Sequence, residues 1–169
     1  MSKHGPSTEN SRLEDKRTRI QTWLVQEGWK VDQAQAEGAL WIITATNETQ
    51  QNIVVAQPQS LPDRIEIQAT ILLPDDRQKM FEDMDAKERE AVLWNLRFEL
   101  LKLGVEFVGL AGPVVQEIRI LQRIYDDGLT QDRFTQRISQ VKAGAILTVW
   151  TISLALEQPT DELDSSFTN

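Results

Sequence analysis

The chain has 169 residues, 18 Lys and Arg against 26 Asp and Glu, a formal charge of −8, no cysteine and one histidine. Those counts exclude thiol nucleophiles, disulfide frameworks and zinc–thiolate sites. The one histidine, His4, stands beside Gly5 and Pro6 in a polar N-terminal stretch, so imidazole has no credible post as general base, triad member or metal ligand.

Ser11 followed by Glu14 reads as a capping box, and Leu13, Ile20 and Leu24 recur at helical spacing up to Gly28, which predicts a helix over 12–27. Trp29 and Val31 begin a series of strand signals. Ala39–Thr46 is apolar on both alternating faces, and Ile53–Ala56 is a shorter run. Arg64–Leu73 alternates most clearly, with Ile65, Ile67, Ala69, Ile71 and Leu73 on one side. Pro74 opens helical sequence that should break near Asp83, restart at Ala86 behind a second capping box (Asp85, Glu88), and end at Gly104. There Leu93, Leu96, Leu100 and Leu103 form one stripe, and Trp94, Phe98 and Leu101 a second beside it. Val105–Val108 and Val114–Tyr125 are the last strands, joined by the turn Gly109–Pro113. Asp126-Asp127-Gly128 then turns the chain into a long helix, capped by Thr130, that runs to Glu157. Its expected inner stripe is Phe134, Ile138, Val141, Ala145, Val149 and Ile152. Strands linked by short turns pair antiparallel, and helices segregated from them make the fold α+β: a sheet of five to six strands flanked by helices, α-β-β-β(-β)-α-β-β-α.

One domain over 12–157 is expected, with a flexible tail at 1–11 and an acidic disordered tail at 158–169. No apolar run follows the N-terminal basic residues, so no secretory signal is read, and a cytoplasmic setting is the simplest expectation without cysteine. The acidic balance opposes nucleic acid and anionic membranes as partners. Arg12, Lys16, Arg17 and Arg19 are the one basic cluster and read as a solvated helix face.

The element order resembles that of type III secretion chaperones and of the YbjN-like family of small bacterial proteins. Arg119–Trp150 carries most of the likeness, as strand, acidic-Gly turn and long helix; Gly28-Trp29-Lys30-Val31 leading into Ala39–Thr46 is a second similar feature. The resemblance implies a sheet flanked by helices in a domain that commonly dimerises and binds protein partners.

Candidate chemistry is sparse. Asp126, Asp127 and Asp132 lack the alternating ligands and terminal Glu of a calcium loop, and turn and helix-start chemistry accounts for them. Gly109–Pro113 joins strands and is followed by no Lys-Ser/Thr, so it does not read as a phosphate loop. Glu82, Asp83, Asp85, Glu88 and Glu90 are interleaved with Lys79, Lys87 and Arg89, the pattern of a solvated helix face and not of a carboxylate pair with separated pKa values. No catalytic residue, cofactor or metal is expected. Of the five tryptophans, at least three should be core. Trp150 lies within Ala143–Leu156, fourteen uncharged residues, too few for a bilayer, which needs about 20. A helix apolar all round is covered on more than one side. One side, with Ala145, Val149, Ile152 and Leu156, can face the sheet. Leu147, Trp150 and Leu154 then need another cover, from another helix of the same chain, a second subunit or a client. The expected function is non-enzymatic: a chaperone- or adaptor-like interaction module, a homodimer or heteromer, binding a partner's apolar segment through Leu147, Trp150, Leu154, Trp94, Phe98 and Leu101. The alternative is a small-molecule or weakly catalytic pocket between sheet and helices, lined by Trp41, Tyr125 or Arg119.

Overall fold

The computed structural model describes residues 6–157, as helices α1 (Pro6–Gln26), α2 (Asp75–Asp83), α3 (Ala86–Lys102) and α4 (Gln131–Glu157) around six strands. The strands are β1 (Lys30–Ala34), β2 (Ala39–Thr46), β3 (Asn52–Pro58), β4 (Arg64–Leu72), β5 (Glu106–Val108) and β6 (Glu117–Tyr125). They form one antiparallel sheet in the order β1-β2-β3-β4-β6-β5. The first four follow one another through short turns. After β4 the chain leaves the sheet through α2 and α3, lays down β5 at the far edge, and returns to pair β6 along the whole of β4, from Arg64↔Tyr125 to Leu72↔Glu117. The fold class is therefore α+β, with six strands, the upper end of the expected five to six, and with the single middle helix of the expected order divided into α2 and α3. The secretory and tail expectations for 1–5 and 158–169, His4 included, lie outside the described residues.

Helix α1 begins at Pro6 and not at residue 12, so residues 6–11, expected as tail, are helical; proline at a first helical position needs no amide partner. At its other end Gly28 takes a φ of +82°. The Trp29 amide donates to the Leu24 carbonyl and the Gly28 amide to Val25, a closure that turns Trp29 into the core ahead of β1. The break between α2 and α3 falls as the sequence predicts. The Asp85 carboxylate caps α3, accepting from the amides of Lys87 (2.9 Å) and Glu88 (3.3 Å). Replacing it with alanine should cost about 1 kcal/mol in chemical denaturation; no loss would mean that the cap does not hold this helix end.

All four helices lie on one face of the sheet, which splits the core into two clusters. In the first, Ile20 and Leu24 of α1 and Phe134, Ile138 and Val141 of α4 meet Ile43, Val55, Ile65 and Ile67. In the second, Phe81 of α2 and Leu93, Leu96 and Leu100 of α3 meet Ile118, Ile120 and Ile152. Helix α4 spans both. The opposite sheet face stays open, as an antiparallel sheet allows. It carries paired charges: Arg123 Nε bonds Glu66 at 2.8 Å and its Nη1 bonds Glu106, while Arg64 pairs with Asp63 and lies over the Tyr125 ring. The Arg64 hydrogen bond holds the Asp63 carboxyl below its ordinary value.

Candidate interaction surface

The inner stripe of α4 differs from the expected one. Val149 is 45 % exposed, and Gly144 and Thr148 are buried in its place. Gly144 is where the helix comes closest: a Cβ there would lie 2.8 Å from Ile120 Cγ2 and 3.4 Å from Leu100 Cδ2. Thr148 reaches burial by donating its hydroxyl to the Gly144 carbonyl at 2.7 Å. The helix is thereby rotated so that Val149, Trp150 and Leu154 emerge, the last two 66 % and 63 % exposed. Leu147, expected beside them, is instead half-buried on the second core cluster. By length and composition α4 would suffice to cross a membrane; here its inner stripe packs on the sheet.

On its β4 side the outer half of α4 borders two shallow grooves. One, of about 360 Å³, runs between Ala145, Ile146, Val149 and Trp150 on the helix and Ile53, Ala69 and Ile71 on the sheet, with Gln50, Gln51, Asn52, Thr70 and Lys142 also lining it. The next, of about 280 Å³, continues past Val149 to Leu72, Pro74 and Arg77, whose Nη1 donates to Ser153 Oγ at 2.8 Å. Leu72 is itself 68 % exposed. The second strip is on α3, which packs along α4. Trp94, Phe98 and Leu101 are each half or more exposed, at the i, i+4, i+7 spacing of one helix face. The Trp94 and Phe98 rings sit 5.7 Å apart, and the Arg97 guanidinium stacks over Trp94 at 4.7 Å. Arg97 is fixed in turn, because its Nε donates to the Leu110 carbonyl at 3.0 Å. Both strips therefore present large apolar side chains from rigid elements.

Five of the six residues expected at a partner site are thus exposed, and Leu147 is not. Trp29 and Trp41 are buried and Trp23 packs half-buried against the first cluster, which leaves Trp94 and Trp150 as the outward pair. The residues proposed for a pocket do not converge. Trp41 is in the core, its indole N–H donating to Gln57 Oε1 at 2.7 Å, whereas Arg119 and Tyr125 lie six residues apart on the open face. In the acidic turn Asp126 is paired with a protein cation, Lys16, whose Nζ bonds Asp126 Oδ1 at 2.6 Å. Among the described residues no three His, Asp or Glu side chains gather where a metal ion could be held.

Comparison with known proteins places the chain among relatives of the same description throughout. A family model described as an uncharacterized conserved protein, DUF2299, matches residues 16–152. A crystal structure of an uncharacterized protein from Methanothermobacter thermautotrophicus shares the fold, with a TM-score of 0.76 at 23 % identity, over 83 % of this chain and 98 % of that one. No curated protein matches.

Proposed function

We propose for this chain, which belongs to the DUF2299 family, a non-enzymatic role: a chaperone- or adaptor-like interaction module that buries an apolar segment of a protein partner. The observation that carries this reading is Trp150, 66 % exposed on a helix without charge from Ala143 to Leu156 and bordered by a groove of mixed lining that includes Ile53, Ala69 and Ile71. An exposed tryptophan on a rigid element costs solvation in the free protein and supplies anchor area in a complex. Val149 and Leu154 flank it, and the α3 strip around Trp94 extends the apolar surface on a packed neighbour. The likeness of Arg119–Trp150 to secretion chaperones, whose domains bind other chains, adds support of the same kind. A cytoplasmic protein with a charge of −8 would keep such a surface soluble through repulsion between copies.

The test is recovery of the partner from native cells by affinity capture and cross-linking, with light scattering on the purified chain. Trp150→Asp should leave the thermal midpoint unchanged and weaken capture at least about tenfold, as loss of a buried aromatic anchor does. A chain that scatters as a strict monomer and captures the same proteins with and without Trp150 would sink the proposal.

A further inference from the structure

Strand β4 pairs with β6 as far as Leu72↔Glu117, but with β3 only from Ala56↔Glu66 to Val54↔Gln68. It thus projects past its neighbour, and among the described residues no strand pairs with Ala69–Leu72 on the β3 side. Backbone amides and carbonyls on such an edge are a template for another extended chain, and natural proteins blunt them with charge or proline. Here the edge reads Ala-Thr-Ile-Leu, with Leu72 68 % exposed and Pro74 only beyond its end. The two grooves beside α4 run along this edge: Ala69, Thr70 and Ile71 line the first, and Ile71, Leu72 and Leu73 line the second.

We propose that the occupant of these grooves is an extended acidic and apolar segment of a protein partner, which adds a short strand to the Ala69–Leu72 edge; the assignment rests on the role proposed for Trp150. Main-chain hydrogen bonds to a sheet edge supply affinity, and alternate side chains of the added strand supply specificity. Apolar side chains at alternate positions of the segment meet Ile53, Ile71 and Val149, with Trp150 beside them. Charge selects the rest of the segment. The lining of the two grooves contains Lys142 and Arg77 and no Asp or Glu, in a chain of net charge −8. Both cations are partly buried, and among the described residues neither is paired with a carboxylate. Lys142 stands over the Trp29 ring at 5.4 Å, and Arg77 donates to the neutral Ser153 hydroxyl. They mark opposite ends, since Lys142 lines the groove that holds Ala69 and Arg77 the groove that holds Leu73. From Lys142 to Ser153 the rise of α4 is about 16 Å, the length of about five residues of extended chain. The segment therefore carries an acidic side chain toward each end, about five residues apart.

The probes are the end-blocked peptide Glu-Leu-Thr-Val-Thr-Glu and the same peptide with Lys in place of both Glu, each titrated into the full chain. Amide and Trp indole NMR shifts should saturate with the Glu peptide and cluster at residues 69–73, Lys142 and 149–153. Amide hydrogen exchange along Ala69–Leu72 should slow, a change that apolar contact without strand pairing does not produce. The Lys peptide should bind about tenfold more weakly. Lys142→Gln and Arg77→Gln, each keeping the thermal midpoint of the parent, should weaken the Glu peptide about fivefold and leave the Lys peptide no weaker. Absence of saturable shifts up to about 10 mM, equal affinity for the two peptides, or shifts centred on Trp94 would overturn the assignment. With any of these results and Trp150→Asp still weakening capture from cells, the extended acidic occupant falls and the interface stands. Capture unchanged by Trp150→Asp removes both.

Discussion

Phe134→Ala should lower the unfolding free energy by about 3–5 kcal/mol, the range for deleting a fully buried aromatic ring. Phe134 is inaccessible to solvent in the first turns of α4, and its ring lies 5.6 Å from that of Trp23, tilted by 45°. It is therefore one of the contacts through which α1 and α4 close the first core cluster over the sheet. Against a typical net stability of about 5–15 kcal/mol, the loss is at least about a fifth of the total. Urea denaturation followed by circular dichroism reads it directly, and Trp23 emission in the folded variant should shift as its cover is removed. A loss below about 1 kcal/mol would show that the two helices do not meet through this ring.

A comparable loss is expected from Gly109→Ala, for a different reason. Gly109 has a φ of +95°, and an added Cβ would stand 1.9 Å from the Glu117 carbonyl oxygen and 3.2 Å from Ile118 Cα. Those atoms are backbone and cannot rotate away, so the loop must leave its contact with β6. The disturbance travels, because Leu110 is buried and its carbonyl accepts the Arg97 guanidinium that stacks on Trp94. Strain of about 1–3 kcal/mol for the left-handed backbone adds to the displacement, for a total of about 3 kcal/mol or more. Gly112→Ala is the control. Its φ is +99°, nothing lies within 4 Å of an added Cβ, and only the conformational cost applies. Thermal midpoints of the two variants that coincide would refute the close approach at Gly109.

Much of the architecture was legible because it rests on local periodicity. Alternation along Arg64–Leu73 named the face that meets the helices, and the paired carboxyl signal at Asp85 and Glu88 placed the α2–α3 break. The outer strip of α3 was legible too, since Trp94, Phe98 and Leu101 fall on a face separate from the leucines that pack inward. Other features were not. Val149 was expected inside because periodicity weighs apolar size, and it undervalues Gly144 and Thr148. Those small residues face the sheet because a helix can approach closely only where side chains are short. Leu147, which the sequence left in need of a cover from within the chain, a second subunit or a client, packs half-buried on the second core cluster.

What the sequence determined by itself is the set of elements, the α+β class and the absence of thiol chemistry, because propensity, alternation and composition are properties of short stretches of chain. Tertiary structure alone decided the rotation of α4 and the exposure of Trp150. Each of these depends on how closely two elements separated by many residues can approach, and that distance is set by the volumes packed between them.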